Sequence, residues 1–392
     1  MSPRILLGIS GSIAAVKTPE LIRLLRKKQW DITPLLTDAA LQFVTPTALH
    51  TLAETAPITT THSFEHPMAH LSVGREAAMM VVAPATANCL AKFAHGLADD
   101  VLSSTFLAFQ GPKLVVPAMH SEMWTNPITQ SNIAILRQHG VQVLGPDRGD
   151  LACGDTGEGR MVSPDLIALA IEVLLETDPP HTLAGQKILI SAGGTKEPID
   201  AVRLITNRGT GQLGETLAHV ATVFGADVVL VSTTPPRIPN PKVQHQAVET
   251  VDDMEKALGL AFETADMLFM TAAISDFKAE PSSQKLKRQA NLTLNLHGTS
   301  DILAKLGQRK KTTQTIVGFC LEDQDLKTVA LQKMASKNTD FMVANHSQNI
   351  GSTHRSFTLY NKAGDTIVEG KNGSVLQTAI LLLRVLSPPK KP

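Results

Sequence analysis

The chain has 392 residues, 43% of them apolar and 18% charged, a balance that suits two globular domains with separate cores. Lysine plus arginine equals aspartate plus glutamate at 36 each, so no global basic field exists to attract nucleic acid or a membrane surface, and small-molecule chemistry is favoured. The three cysteines, Cys89, Cys153 and Cys320, are too widely spaced for a metal knuckle or a CxxC pair, which predicts a reducing, cytoplasmic location.

Short apolar runs alternate along the chain with longer segments of helical period, which is typical of parallel β-α units. The glycines and serines after the first run favour a strand and a turn over a signal segment. In the first half, the pattern predicts strands at 4–9, 31–37, 77–85, 113–119 and 141–146 and helices at 19–30 and 87–109. In the second half, it predicts strands at 187–193, 227–233, 267–273, 315–320 and 340–345 and a helix at 211–226.

A boundary is predicted where the segment 175–187 carries two prolines and no periodicity before a new strand begins. We expect an α/β protein with two doubly wound, Rossmann-like domains: a flavodoxin-like domain at 1–178, a linker at 179–187 and a nucleotide-binding domain at 188–388. Ligands of such open sheets bind at the carboxyl ends of the strands, so the loops after the strands are the places to search for a site.

The first of these loops, GISGSIAAVK, presents Gly8, Gly11 and Ser12 between a strand and a helix. Small residues there let backbone N–H groups approach a phosphate, although a glycine turn before a helix is also a common structural device. The loop VVAPATANC presents Thr86 and Asn88, which could hydrogen-bond a ligand or simply cap the next helix. Neither loop decides its own function.

The segments GSIAA, PATAN, PAM-x-x-x-MW and ACGDTGEGRM together resemble the flavoproteins that decarboxylate cysteine residues, and the match covers nearly the whole first half. The resemblance implies that flavin mononucleotide (FMN) is the cofactor. It implies that the phosphate binds at GSIAA and the flavin at PATAN. The residues that it assigns to the cofactor are Gly11, Ser12, Ile13, Thr37, Pro84, Thr86 and Asn88.

The same resemblance assigns two catalytic residues to the first half. His70 in AHLSV stands at the family's essential histidine, whereas on composition alone one of thirteen histidines would be a surface residue. Cys153 stands at the family's proton donor, and its neighbours Gly154, Gly157 and Gly159 favour a flap over the substrate. The alternative for Cys153 is a small buried side chain.

The loop PAMHSEMW departs from the family pattern PxMNxxMW, because His120 stands where an asparagine would bind the substrate carboxylate. Imidazole can also donate a hydrogen bond to a carboxylate and, if protonated, adds a charge. We therefore assign His120 and Met123 to the substrate.

The second half contains SAGGTKEPIDAVRLITNRGTGQLGETLA, TAAISDFKAE, QKLKRQ, VGFCLED and KMASKNTDFMVAN. A glycine-rich SAGGT alone would also suit a dinucleotide-binding reductase. Together these segments resemble the bifunctional family of coenzyme A biosynthesis that joins phosphopantothenoylcysteine decarboxylase to phosphopantothenate–cysteine ligase. With the first half included, this resemblance spans about 380 residues.

By this resemblance, the ligase activates 4′-phosphopantothenate with CTP as an acyl-cytidylate before cysteine attacks, with Mg²⁺ on the triphosphate. Asn207 is the catalytic residue for the acyl-cytidylate, and Asp276 contacts the metal ion or the ribose. The remaining substrate residues are Arg203, Ala273, Lys285, Lys287, Phe319, Lys333 and Lys337, for which a solvated face or plain core is the structural alternative. Gln212 departs from the family, whose motif SSGKMG carries lysine there.

Two other functions remain open at this point: a flavin-binding regulatory subunit, and a decarboxylase for a different cysteine-containing substrate. The presence of His70 and Cys153 argues against the regulatory subunit, and the attached ligase half argues against a different substrate. The resemblance further implies a homo-oligomer.

Overall fold

The computed structural model describes residues 2–61, 68–177, 182–287, 291–322, 324–346, 352 and 354–386. The chain divides into two compact units, one formed by residues 1–178 with 238–241 and the other by 179–237 with 242–392. Of the predicted linker 179–187, residues 179–181 lie outside the described ranges. No helix in the described ranges is long and apolar enough to cross a lipid bilayer.

The first unit is built on a five-stranded parallel sheet of order β2-β1-β3-β4-β5, the flavodoxin-like order predicted from the sequence. The strands of this unit are β1 (Arg4–Ile9), β2 (Asp31–Leu36), β3 (Met79–Ala85), β4 (Lys113–Pro117), β5 (Gln142–Val143), β6 (Asp147–Asp150) and β7 (Thr156–Arg160). Its helices are α1 (Thr18–Lys27), α2 (Pro46–Ala53), α3 (Ala69–Arg75), α4 (Ala87–His95), α5 (Val101–Ala108), α6 (Ser121–Thr125), α7 (Pro127–Gln138) and α8 (Pro164–Leu175). Short 3-10 helices lie at Ile13–Lys17 and Asp38–Gln42.

Strand β3 shows why the central strands read as continuous apolar runs. Helices cover both faces of a parallel sheet, and every residue of β3 is buried. Helix α1 instead buries one stripe, formed by Leu21, Ile22 and Leu25, and leaves its charged residues outside.

The helix predicted at 87–109 is wrong in one respect, because it is two helices, α4 and α5. Gly96 ends α4 in the left-handed conformation, with φ of 67°. Asp100 then begins α5 with a capping box that it forms with Ser103. The apolar residues on both sides of the break hid it from a reading based on periodicity.

The second unit contains an eight-stranded mixed sheet of order β12-β11-β8-β13-β16-β17-β18-β19. The first six strands in this order are parallel to one another, and β18 and β19 pair antiparallel at the end of the sheet. This order is Rossmann-like, as predicted. The strands are β8 (Lys187–Ala192), β9 (Lys196–Pro198), β10 (Leu204–Thr206), β11 (Asp227–Ser232), β12 (Val243–Ala247), β13 (Met267–Met270), β14 (Phe277–Ala279), β15 (Leu296–Gly298), β16 (Thr315–Leu321), β17 (Phe341–Asn345), β18 (His354–Asn361) and β19 (Thr366–Ser374). The helices are α9 (Gln212–Val223), α10 (Val251–Phe262), α11 (Ile302–Arg309), α12 (Leu326–Lys337) and α13 (Val375–Leu386).

The sequence reading missed the antiparallel hairpins, among them β6–β7 and β18–β19. Strands β6, β7 and β19 are polar and bury almost none of their residues, so they lack the apolar run that marked the parallel strands. Strand β18 buries Phe357, Leu359 and Tyr360, but polar residues interrupt its apolar pattern. Both hairpins nevertheless supply side chains to the regions described next.

Candidate functional site

A cavity of about 560 Å³ lies at the carboxyl ends of β1, β2, β3 and β4 in the first unit. This volume is within the usual range for a small-molecule site. Five of the seven residues predicted to bind the cofactor line it: Gly11, Ser12, Thr37, Thr86 and Asn88. Met119 and the predicted substrate residue Met123 line its other side.

Three hydroxyl groups around this cavity cap the N-termini of short helical segments. Ser12 accepts a hydrogen bond from the Ala14 N–H, Thr37 from Ala40, and Thr86 from Cys89. The capping alternative considered for Thr86 is therefore real, and it is compatible with a ligand because helix N-termini point N–H groups toward anions.

Ser10 holds two of the cavity loops together, and the sequence reading missed it. Its buried hydroxyl donates to the Pro84 carbonyl over 2.8 Å and accepts from the Thr86 N–H over 3.1 Å. Pro84, within β3, contributes only its backbone carbonyl to this contact. Ile13 is exposed and is not among the residues that line the cavity. A Cβ atom at Gly11 would overlap Ala39, so only glycine lets these two loops approach.

His70 is the second residue of α3, a helix that packs against α5. Its Nδ1 is buried and makes no hydrogen bond within the described ranges. His70 is not among the described residues that line the cavity. Its catalytic role therefore stays a prediction.

The structure brings His120 and Cys153 together through Asp155. His120 Nε2 lies 2.9 Å from Asp155 Oδ2, and Cys153 Sγ lies 3.5 Å from the same oxygen. Nδ1 of His120 accepts from the Glu122 N–H, so Nε2 carries the proton toward Asp155. The hydrogen bonds from His120 and Cys153 hold the pKa of the Asp155 carboxyl below its usual value. The sequence reading missed Asp155.

Exposure separates Cys153 from the other two cysteines. Cys153 lies in the turn of the β6–β7 hairpin and is exposed, so it is not the small buried side chain of the alternative reading. Burial raises the pKa of the Cys89 thiol, and it raises the pKa of Cys320 to about 11, which keeps both thiols protonated.

A cavity of about 430 Å³ lies at the carboxyl ends of β8, β13, β16 and β17 in the second unit. Three predicted ligase residues, Asn207, Ala273 and Phe319, line it. The Asn207 Nδ2 donates to the carbonyls of Ala273 and Ile274 at 3.3 and 2.9 Å, so in this conformation its donors are directed at the backbone. A larger hollow of about 720 Å³ beside β12 contains none of the predicted residues.

Arg203 is paired with Asp200 rather than free for a ligand. Its guanidinium binds the buried Asp200 carboxylate at 2.6 and 2.9 Å and donates to the Leu286 carbonyl at 2.6 Å. Asp200 also accepts from the Leu286 N–H at 3.0 Å. This clamp fixes the segment that carries the exposed Lys285 and Lys287.

The other predicted ligase residues lie away from the cavity lining. Lys333 pairs with Glu322 over 2.6 Å and Lys337 with Asp301 over 3.2 Å. Asp276 is exposed and belongs to no group of three metal-ligating side chains in the described ranges. Their roles stay predictions.

Comparison with known proteins identifies the class of each half. Residues 1–175 match the family described as Flavoprotein, and residues 183–384 match the DNA/pantothenate metabolism flavoprotein C-terminal domain. The chain is therefore a flavoprotein with a pantothenate-metabolism domain.

The full-length relatives are more specific. The coenzyme A biosynthesis bifunctional protein CoaBC of Bacillus subtilis is 37% identical over 347 residues, which cover 87% of this chain and 85% of the relative. The protein of the same name from Escherichia coli strain K12 is 34% identical over 391 residues, covering 96% and 95%. The chain belongs to this family of bifunctional coenzyme A biosynthesis proteins.

Solved structures resemble the separate halves. The C-terminal domain of a CoaBC protein is 32% identical, covers 51% of this chain and 93% of its own, and has a TM-score of 0.44. The FMN binding protein AtHal3 is 32% identical, covers 45% and 98%, and has a TM-score of 0.41.

The Asp200 clamp predicts a specific effect of acid on stability. Burial disfavours the charged carboxylate, but hydrogen bonds from the N–H groups of Val202, Leu286 and Arg203 and from the Arg203 side chain outweigh it and hold the pKa of Asp200 well below its usual range. Its stabilising effect is complete above the unfolded-state pKa of about 3.9 and is lost as pH falls toward the folded-state value.

We therefore expect Asp200→Asn to lower the stability of the ligase unit at neutral pH and to flatten the loss of stability below about pH 4. Denaturant unfolding at a series of pH values measures both. Asp227→Asn, which changes an exposed carboxyl of the same unit, is the control. Parallel acid profiles for the wild type and Asp200→Asn would show that the clamp does not stabilise the folded state.

Proposed function

We propose that the chain carries out two consecutive steps of coenzyme A biosynthesis. The ligase joins 4′-phosphopantothenate to cysteine at the expense of CTP, and the FMN-dependent decarboxylase converts the product to 4′-phosphopantetheine. The observation that carries this proposal is the presence of two cavities, each at the carboxyl edge of its own sheet and each lined by residues that the family pattern assigns to one reaction. Family membership supports the pairing of the two activities.

In the decarboxylase unit, the residues present fit FMN. Gly11 allows a close approach of backbone to the ligand, and the helix starts at Ser12, Thr37 and Thr86 offer N–H groups to the phosphate. Bound FMN supplies the two-electron chemistry that makes loss of carbon dioxide from a cysteinyl carboxylate feasible. The Cys153 thiol supplies a proton to the product, and Asp155 orients that thiol by accepting its hydrogen bond.

In the ligase unit, the substrate carboxylate attacks the α-phosphorus of CTP and releases pyrophosphate. The amine of cysteine then attacks the acyl carbon, forms the amide and releases CMP. The side-chain amide of Asn207 first turns away from the backbone carbonyls of Ala273 and Ile274 and then donates a hydrogen bond to the acyl-cytidylate. Phe319, half-buried in the cavity wall, offers a face to the base.

The geometry supports some of the charged residues that are predicted to bind CTP and its metal ion. The Asp200 clamp holds Lys285 and Lys287 exposed on either side of Leu286, where they can reach phosphate oxygens. The exposed carboxylate of Asp276 is a suitable oxygen ligand for Mg²⁺, to which the triphosphate adds further oxygens. Lys333 and Lys337 would have to leave Glu322 and Asp301 to take part.

A cytoplasmic homo-oligomer is part of the proposal. Ile13 and Val16, in the short helix that begins at the cofactor loop, are 53% and 52% exposed. Apolar side chains grouped around a ligand site are typical of a surface that another protomer covers. The exposed thiol of Cys153 suits a reducing compartment.

Coupled turnover tests the function directly. Purified protein with FMN, Mg²⁺, CTP, cysteine and 4′-phosphopantothenate should release pyrophosphate, carbon dioxide and 4′-phosphopantetheine. His70→Asn should retain FMN and amide formation but lose carbon dioxide release, because the change removes the catalytic imidazole. Retention of FMN without any turnover in the wild type would favour a flavin-binding regulatory subunit. Decarboxylation of other cysteine-containing compounds without ligation would favour a decarboxylase for a different substrate.

Native mass spectrometry tests the assembly. We expect a mass of at least twice that of the 42.0 kDa chain. Ile13→Glu together with Val16→Glu should shift the mass toward the monomer, because charges are costly in a buried interface. Leu260→Glu, at an exposed position of the other unit, is the control. A wild-type monomer at micromolar concentration contradicts the proposal.

His120 gives a prediction about substrate binding. The resemblance places its imidazole where an asparagine would bind the substrate carboxylate, and the Nε2–H that now points to Asp155 is the available donor. His120→Asn should retain decarboxylation because asparagine also donates a hydrogen bond. His120→Ala, which has no donor, should raise the KM for phosphopantothenoylcysteine roughly tenfold. Steady-state kinetics of decarboxylation measures both variants.

His139→Ala changes an exposed histidine outside the site and is the control. An unchanged KM for His120→Ala would mean that the imidazole does not bind the substrate carboxylate.

A further inference from the structure

Arg355 of strand β18 reaches the ligase cavity, although no sequence motif pointed to it. It is half-buried, and its Nε is fully buried with no hydrogen-bond partner in the described part of the chain. On the neighbouring strand β19, the residue opposite is Gly373, which has no side chain to cover or pair with the guanidinium.

A buried guanidinium Nε–H without a hydrogen-bond partner is energetically unfavourable. Transfer of a charge out of water is costly unless an opposite charge or hydrogen bonds compensate, so such a group favours binding of an anion. Burial also lowers the pKa of Arg355 from its usual value, which is the expected effect of uncompensated desolvation.

The rest of the cavity lining also favours an anion. The described residues that line it include two arginines, Arg208 and Arg355, and no carboxylate. The loop from Arg208 to Gly211 leads into α9, a helix of 12 residues whose N-cap, Gly211, has no side chain to cap the first turn. The first residue of that helix, Gln212, is neutral, so the cationic charge of the described lining comes from the two arginines.

We propose that Arg355 binds a phosphate oxygen of CTP in the ligase cavity, which the glycine-rich loop and the N-terminus of α9 also line. Guanidinium is suited to this because its planar donors match phosphate oxygens and it stays charged when partly buried. Arg208, which is exposed to water, contributes less. The inference rests on the proposed ligase activity and names the group that anchors its nucleotide.

The test is CTP binding, measured by calorimetry in the presence of Mg²⁺. Arg355→Gln should raise the Kd for CTP roughly tenfold or more, the loss expected when a charge-assisted contact is removed. Arg355→Lys should lie between the two, because it keeps the charge and loses the planar donors. The Kd for neutral cytidine should change less than twofold.

A charge transplant separates phosphate binding from a structural role. Gln212→Lys in the Arg355→Gln background supplies a cation to the same cavity and should recover most of the lost affinity for CTP. A structural defect at Arg355 would not be repaired by a lysine on α9. Arg384→Gln, an exposed arginine of the same unit, is the matched control.

The outcomes distinguish this inference from the proposed function. Decarboxylation of supplied phosphopantothenoylcysteine should be unchanged in every variant, which shows that the decarboxylase unit is intact, and unchanged binding of cytidine shows the same for the ligase unit. If the wild type binds CTP and Arg355→Gln binds it within twofold, the inference is overturned and the ligase assignment stands. A weaker KM for 4′-phosphopantothenate with unchanged CTP binding, or failure of Gln212→Lys to recover affinity, also overturns it. Absence of CTP binding in the wild type contradicts the proposed function itself.

Discussion

The parallel pairing of buried strands is the constraint on which both cavities depend. In β1, β3 and β8, nearly every residue is buried, so the backbone polar groups of these strands must be satisfied within the sheet. Polar side chains are therefore confined to the loops that follow the strands. Because parallel strands end at one edge, loops that are distant along the chain meet there. Residues near 11, 37 and 86 in one unit, and near 193, 209 and 273 in the other, converge for this reason.

Close backbone approach is the second requirement, and glycine meets it in both units. The loop at Gly11 lies against Ala39, and Gly209 lies so near Ala273 that a Cβ would come within 2.8 Å of the alanine Cβ. The Ser10 hydroxyl then joins two loops of the decarboxylase unit, and the backbone of Ala273 hydrogen-bonds to Gly193 and Thr195 in the ligase unit. These contacts fix the cavity walls before any ligand binds, which reduces the ordering that binding requires.

Carboxylates fix polar side chains in both units. His120 stands where the family pattern has an asparagine, and Asp155 links it to Cys153, so a change at one position alters the electrostatic surroundings of the other. In the ligase unit, Asp200 binds Arg203 and holds the segment of Lys285 and Lys287. An arginine that is paired in this way positions its neighbours, whereas the buried Nε of Arg355 has no hydrogen-bond partner among the described residues.

Sequence patterns alone determined the α/β architecture with two Rossmann-like domains, the five strands of the first sheet and, among the six parallel strands of the second sheet, all except β12. Apolar runs and glycine-rich turns are local features, and local features can be read along a chain. The same reasoning failed at 87–109, where apolar residues continued through a helix break, and at β6, β7, β12 and β19, which lack an apolar run. Only the tertiary structure decided that Asp155 lies between His120 and Cys153, that Arg203 belongs to Asp200, and that Arg355 enters the ligase cavity. His120 and Asp155 are 35 positions apart, and the Asp200–Arg203 pair, although local, is completed by Leu286, which lies 86 positions from Asp200. Contacts between segments so far apart leave no periodic trace in the sequence.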